Sequence, residues 1–438
     1  MRWPEAFCRR MAERLGAEWP AFLAALETPA RTAVRLHPVK GMGLFPHAEQ
    51  VPWHPAGRLL EERPSFEREP LWHAGAYYVQ EASGMSVRAF LPERRPLRMI
   101  DLSAAPGGKS TLLLSELGQE GGLLIANDPD PRRRTALVEN LARWGTPAYL
   151  ITGRHPHWWA KHFPQAFDVV LLDAPCSGEG LWRKDPRACT YWNPALPARM
   201  QRLQRSLLFA AKDLVAPGGT LIYATCTFAP EENEDNLAQV FQEAGEWEPV
   251  LWADAPQAAQ PVSYGKGGQG YYFYPHRGPG AGFFISAWRR KGRPSRWRTA
   301  VERPPLKPPL HLPVEIWAFP NRQEVSGLYP AAAALIPGSL LKERWEAFPL
   351  YRHQKPAHAL ALLEGGRLAE VFPERPLSRA EFAAYLRGEV LPPQAPIEWV
   401  TCEGAGVGWL YRGRPSLPFT WRRFLSLPQA EGEEAGSP

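Results

Sequence analysis

Asp101-Leu102-Ser103-Ala104-Ala105-Pro106-Gly107-Gly108-Lys109-Ser110 joins the apolar run 97–102 to a second apolar run, 112–117. The first run reads as a strand and the second as a helix, so the small residues between them form a strand-to-helix loop. The alternation continues beyond it. Gly121-Gly122 turns into a strand over 123–126, which ends at Asn127-Asp128. A helix spans 131–144, started by Pro131 and stopped by Gly145. Strands follow at 149–151 and 167–172, the latter ending at Asp173. Met200, Leu203, Leu207, Ala211 and Leu214 trace a helical stripe, and Pro217-Gly218-Gly219 turns into a strand over 220–225. Runs 271–274 and 283–288 close the series. This order predicts an α/β fold, a doubly wound, mostly parallel Rossmann-like sheet. Such sheets bind ligands at the carboxyl ends of their strands. The Gly-Gly-Lys loop, Asp128, Asp173 and Cys226 all fall there.

Around this core, residues 1–28 read as one or two short helices with Leu15, Phe22, Leu23 and Leu26 on one face. Residues 30–95 read as a small mixed piece with strands near 32–36 and 72–79. Together, 1–95 are expected to form an N-terminal α+β unit, and 96–291 the core. Residues 292–309 are basic and Pro-rich, the pattern of a linker. Residues 310–438 form a second region, with one helix over 378–387.

The 438 residues are 45% hydrophobic, enough for sizeable cores and too much for a disordered chain. No apolar stretch reaches bilayer length, and a cytoplasmic location is expected. Net charge is +6 and the pI about 9.1, carried mostly by Arg, which suits phosphate but does not by itself prove a nucleic-acid partner. Five scattered cysteines, with no Cys-x-x-Cys, fit free thiols rather than disulfides or zinc. His155, His157 and His162 lie in a Pro- and Trp-rich loop without partner spacing and read as surface residues, so no metal is expected.

A loop of this kind is to be weighed against three cofactor classes. The dinucleotide pattern Gly-x-Gly-x-x-Gly is absent. A phosphate loop would end in Gly108-Lys109-Ser110, but Ser103 stands where its first glycine belongs, and Pro106 removes a backbone N–H. S-adenosylmethionine needs a small-residue loop and an acceptor for ribose hydroxyls at the end of the second strand, where Asp128 lies.

Two cysteines sit at strand ends, in Asp173-Ala174-Pro175-Cys176-Ser177-Gly178-Glu179-Gly180 and Thr225-Cys226-Thr227. With the Asp101–Ser110 loop, Arg183-Lys184-Asp185-Pro186, Gln80-Glu81-Ala82-Ser83-Gly84-Met85 and Glu231-Glu232-Asn233-Glu234, the chain resembles the Sun-type RNA cytosine-C5 methyltransferases. The likeness is dense over residues 70–290. It implies methyl transfer from S-adenosylmethionine to cytosine C5 in RNA, with small-subunit (16S) ribosomal RNA or the assembled small subunit as substrate. A thiolate adding at C6 makes C5 nucleophilic enough to take the methyl. By this resemblance Cys226 is the nucleophile, Cys176 assists release, and Asp173 aids the addition by hydrogen bonding or proton donation at N3. The resemblance also carries over Ala104, Ala105, Pro106, Gly107, Gly108, Lys109, Asp128, Arg133 and Asp173 as cofactor or base contacts. Lys109 also reads as a helix-start residue, and Arg133 as a surface charge. Competing readings are an NTPase acting on RNA and a non-catalytic RNA-binding relative.

Two features depart from the family. Thr152 stands where an acidic residue is usual after the third strand, so the adenine contact weakens or moves. Arg35-Leu36-His37-Pro38-Val39-Lys40 stands for Arg-Val-Asn-x-x-Lys in the N-terminal unit 1–95, to which the resemblance assigns RNA binding, so the detailed RNA contacts there depart from the family's. The C-terminal region, by its position and Gly406-Val407-Gly408-Trp409, suggests a PUA-like RNA-binding module. Trp158, Trp159, Trp182 and Trp192 are candidates for base stacking or for core packing, and Cys8, Cys189 and Cys402 for structural positions.

Overall fold

The computed structural model describes residues 3–93, 97–118, 121–243 and 245–293, and beyond these 315–318, 324–328, 346–352, 355–363, 368–370 and 372–418. Most of the predicted linker, 294–309, lies outside the described residues.

Helices α1 (Glu5–Leu15) and α2 (Trp19–Glu27) open the chain. Strands β1 (Thr32–Leu36), β2 (Glu49–Gln50), β3 (Gly57–Leu60) and β4 (Tyr77–Val79) form a small antiparallel sheet in the order β2-β3-β1-β4. The strand expected over 72–79 begins only at Tyr77. Before it comes the helical turn α3 (Pro70–His73), where Pro70 takes the first helical position. The sheet has its own core of Val34, Leu36, Leu60, Phe66, Ala76 and Tyr77. The two helices pack elsewhere. Phe7 and Phe22 join the core of the central sheet, against Trp182 and Phe228.

The central sheet begins with β5 (Leu97–Asp101), followed by α4 (Gly108–Leu117), β6 (Gly122–Asn127), α5 (Pro131–Trp144), β7 (Tyr149–Thr152), α6 (Pro156–His162) and β8 (Phe167–Asp173). Then come α7 (Leu196–Leu214), β9 (Val215–Thr225), α8 (Glu234–Val240), β10 (Trp247–Pro249), β11 (Ala259–Tyr264), β12 (Gly268–Phe273) and β13 (Phe283–Arg290). The path β11-β12-β13-β9-β8-β5-β6-β7 has β10 paired to β13. Pairs among β5 to β9 are parallel, while β13 runs antiparallel to β9. The strand order reverses between β5 and β8, the switch point where a ligand crevice opens. The doubly wound expectation holds.

Local signals explain the boundaries. Asp130 caps α5 by accepting from the Arg132 N–H at 2.8 Å, Pro131 starts the helix, and Gly145 ends it in the left-handed region at φ 85°. The α7 stripe is rotated from the predicted one. Leu203 is exposed, and Gln204 and Leu208 are buried in its place. The Pro217-Gly218-Gly219 turn is absorbed into β9, whose pairing with β8 shifts register between Phe167 and Val169.

The C-terminal region holds two four-stranded sheets. One contains β14 (Glu315–Ala318), β15 (Glu324–Leu328), β16 (Phe348–Arg352) and β17 (Lys355–Pro356). The turn α9 (His358–Ala361) follows. The other sheet contains β18 (Glu374–Leu377), β19 (Ile397–Cys402), β20 (Ala405–Tyr411) and β21 (Arg414–Pro415). Between β18 and β19 lies α10 (Arg379–Leu386), capped by a reciprocal Ser378–Glu381 pair. Among the described residues, no helix is long and apolar enough to cross a membrane.

Candidate active site

The carboxyl ends of β5, β8 and β9 meet at one cavity of about 360 Å³. Ser103, Ala104, Ala105, Pro106 and Gly108 form one wall. Gly107, at φ 114°, makes the sharp entry to α4 that a side chain would strain. Asp101, Lys109, Asp173 and Cys226 also line the cavity, with Glu81 and Lys184 at its edge.

Cys176 Sγ lies 3.3 Å from Cys226 Sγ. The hydrogen bond to Cys226, burial, and the charges of Cys226 and Glu232 hold the Cys176 thiol well above its ordinary range. Cys176 therefore keeps its proton at neutral pH. Lys109 Nζ donates to Asp173 Oδ2 at 2.7 Å and sits 5.0 Å over the Phe283 ring. Burial pulls the Lys109 ammonium down, but Asp173 and the Cys226 sulfur outweigh it and raise it above its ordinary value. Burial pushes the Asp101 carboxyl up to about 7, with the Ser110 hydrogen bond at 2.7 Å opposing and Asp173 adding. Glu81 accepts from Ser83 Oγ and from the Gly84 and Ala281 N–H groups. Burial opposes its ionisation, yet Lys184 and these donors keep it below the ordinary carboxylate value.

The two thiol loops are clamped together by groups beneath them. The Gly180 N–H donates to Cys226 O at 2.8 Å, and a Cβ on Gly180 would lie 2.4 Å from Gly282 O. Ser177 Oγ and Thr227 Oγ1 are 2.7 Å apart. Buried Glu232 accepts from the Ser177 N–H at 3.0 Å and from Gln204 Nε2 at 2.7 Å. Buried Glu179 accepts from Arg10, from the Trp192 indole and from the Phe228 N–H. Glu81, Glu179 and Glu232 were not predicted as functional, although all three stand in the stretches that carried the family resemblance.

Other predicted residues sit close by, with roles in holding the loop. Asp128 is 1% exposed and does not line the cavity. Its carboxylate accepts from the Ala105 N–H at 3.1 Å and the Asp130 N–H at 3.0 Å. Arg133, read as a possible surface charge, donates to Ala105 O at 2.6 Å and lies 3.4 Å from Asp128. Thr152 Oγ1 donates to Asn127 Oδ1 at 2.8 Å, and the same oxygen accepts from the Arg154 N–H and the Trp159 indole. An acid at position 152 would face that oxygen as a second acceptor, which accounts for the threonine. Trp159, Trp182 and Trp192 are buried in the core, which removes them from base stacking, while Trp158 is half-buried and stacks on His162. His155, His157 and His162 are exposed, and Cys189 and Cys402 are buried.

The Arg35 and Lys40 motif is a fastening rather than an RNA contact. Arg35 is fully buried, donates to Gln80, Ser115 and Thr111, and stacks 4.4 Å over Trp144. Lys40 Nζ donates to the carbonyls of Ala74, Arg143 and Leu362, one from each part of the chain. His37 takes the family's Asn position. Its Nδ1 accepts from the Val39 and Lys40 N–H groups.

The donor set suits S-adenosylmethionine. The loop offers small side chains, and Asp101 and Asp173 line the cavity as acidic groups of the kind a cationic cofactor requires. A doubly wound sheet with such a loop at its switch point is the architecture of S-adenosylmethionine-dependent methyltransferases. Residues 89–289 match the family model of 16S rRNA methyltransferase RsmB/F. Residues 3–82 match the N-terminal domain of 16S rRNA methyltransferase RsmF. Across these two stretches the chain matches the RsmB/F family. It is 33% identical to ribosomal RNA small subunit methyltransferase F of Salmonella paratyphi A over 314 residues, covering 66% of this chain and 63% of that protein. It thus spans less than two thirds of that relative's length. A solved methyltransferase homolog protein from Pyrococcus horikoshii matches with TM-score 0.52 at 26% identity, over 63% of this chain and 91% of that one. NSun6 from the same organism, solved with SFG, matches in fold with TM-score 0.54 at 19% identity, over 66% of this chain and 99% of that one.

Proposed function

We propose that the protein methylates C5 of a cytosine in small-subunit ribosomal RNA, using Cys226 as nucleophile and Cys176 as its proton-handling partner. The observation that carries this reading is the contact between two thiols at adjacent strand ends, beside the Lys109–Asp173 pair and the cofactor loop. A non-catalytic binder has no need of that contact.

S-adenosylmethionine, when bound, supplies an electrophilic methyl group. The residues proposed to hold it are Ala104 to Lys109 and Asp173, with Asp128 and Arg133 fixing the loop. Cys226 adds as thiolate to C6, forming an S–C6 bond and moving the C5–C6 electron pair toward C5. As negative charge grows on the ring, the Lys109–Asp173 pair serves the N3/N4 edge, the ammonium donating and the carboxylate accepting. After methylation the C5 proton leaves to water and its bonding pair re-forms the C5–C6 double bond. The S–C6 pair returns to Cys226, whose sulfur takes the proton of the Cys176 thiol, leaving 5-methylcytosine. The base must be unpaired or flipped to expose C6. Residues 310–438 are proposed as a PUA-like RNA-binding region that adds affinity.

The experiment is to incubate transcribed 16S ribosomal RNA with the protein and S-adenosylmethionine, then analyse its nucleosides by mass spectrometry. The expected product is 5-methylcytidine. A methyl group on ribose or on another base would refute the reading.

A further inference from the structure

A second cavity, of about 460 Å³, lies beside the first. Residues 29–33 between α2 and β1, Arg63, the stretch 79–82, Arg183, Lys184 and Pro279 line it. Val79, Gln80, Glu81 and Lys184 border both cavities. Four cations face it, Arg31, Arg63, Arg183 and Lys184, against the single carboxylate of Glu81.

The cations are not equally committed. Arg183 donates to the carbonyls of Thr28 at 2.9 Å and Gly280 at 2.7 Å. Arg31 pairs with Glu49 at 2.7 Å. Glu81 is engaged by three donors. Arg63 and Lys184 stand apart: among the described residues, neither side chain makes an ion pair or hydrogen bond. The Arg63 guanidinium rests 5.2 Å over Phe66, and both side chains are exposed. Protein atoms of the groove walls partly desolvate the Lys184 ammonium and lower it below its ordinary value. Glu81 works against this, and the neighbouring charges of Lys109 and Arg63 add to it. Clustered cations short of counter-charge attract a polyanion, and each phosphate they neutralise releases counterions.

We propose that this groove holds phosphates of the RNA strand flanking the target base, with Arg63 and Lys184 as the contacts. The proposal rests on the RNA reading above and extends it. The strand enters the thiol pocket past Lys184, which belongs to both cavities. The N-terminal sheet supplies Arg63 and the core supplies Lys184, so the groove exists only when the two are fastened together. Phosphate contacts position RNA without reading its sequence.

The test compares wild type, Arg63→Ala/Lys184→Ala, and the control Arg9→Ala/Arg199→Ala, which removes two exposed charges elsewhere. The probe is transcribed 16S ribosomal RNA, titrated by fluorescence anisotropy across a salt series, with thermal melting as the folding check. The groove variant is expected to bind at least tenfold more weakly and to lose about 1 unit of salt slope per removed contact. Its KM for RNA is expected to rise. Lys184→Glu should weaken binding further. Equal affinity and slope in the groove variant and the control would overturn the proposal while leaving the methyltransferase reading intact. Wild-type binding without methyl transfer would overturn the function but not the groove, and no RNA binding at all would overturn both.

Discussion

Asp128 is the residue whose role the structure changes most. The sequence places it at the end of the second strand, as an acceptor for ribose hydroxyls or as part of a helix N-cap region. The carboxylate instead lies beneath the loop, holding the Ala105 and Asp130 N–H groups. Asp128→Ala is expected to weaken S-adenosylmethionine binding by on the order of 1–3 kcal/mol, because the buried Ala105 N–H and the Asp130 N–H lose their acceptor and the loop loosens. Asp128→Asn, which keeps one acceptor oxygen, should lose less. Titration calorimetry checks both, and unchanged affinity in Asp128→Ala would remove the residue from the cofactor site. The position of Asp128 was legible because a strand end before a helix is a local signal. Its partners were not, since Ala105 is 23 residues away and hydrogen bonds across such a gap leave no period in the sequence.

The elements around the thiols depend on buried carboxylates. Glu232, at the start of the segment leading to α8, holds the Cys176 loop through the Ser177 N–H. Burial pushes it up to about 7, with the Ser177 and Gln204 hydrogen bonds opposing. Between its ordinary value of 4.5 and about 7, the folded chain binds a proton that the unfolded chain has lost. Stability therefore falls as pH rises through that window and levels off above it. Glu232→Gln removes the titration. Its stability relative to wild type is expected to rise by on the order of 2–3 kcal/mol between pH 5 and pH 8. Denaturant melts at both pH values test this, and parallel curves for the two proteins would contradict it. The elements themselves were largely readable. Pro131, Asp130 and Gly145 bound α5 by local chemistry, and β1 shows as a β-branched and apolar run. Strand β11 was missed because its alternation is weak, with Pro261 in its middle and only Ala259 and Tyr264 buried. The clasp of Arg35 on Thr111 and Ser115 was invisible for another reason: a lone arginine in a strand gives no sign that it is buried.

At the scale of the whole molecule, the C-terminal region is tied to the rest at several points. Ile151 pairs with Glu346, Lys40 reaches Leu362 O, and Ala74 and Trp72 pack with Phe382 and Tyr385. Truncation after Lys291 should therefore lower the melting temperature as these contacts are lost. Cofactor affinity should persist, since every residue lining the cavity precedes the cut. RNA affinity should fall if the region is the proposed module. Unchanged RNA affinity would show that it only buttresses the core. The sequence supported an α/β core because each strand and helix carries its own signal. It could not show that α1 and α2 pack into that core, because Phe7 and Phe22 find Trp182 and Phe228 only in three dimensions.

The central claim is covalent catalysis by two thiols with different tasks, and a denaturing gel tests it. Labelled 16S ribosomal RNA and S-adenosylmethionine are incubated with wild type, Cys226→Ala and Cys176→Ala. With Cys226→Ala nothing attacks C6, so neither methyl transfer nor adduct is expected. With Cys176→Ala attack and methylation proceed but elimination stalls, so a shifted band of protein joined to methylated RNA should accumulate. A trapped band from Cys226→Ala and none from Cys176→Ala would reverse the two roles. Full activity in both variants would contradict covalent catalysis by this pair.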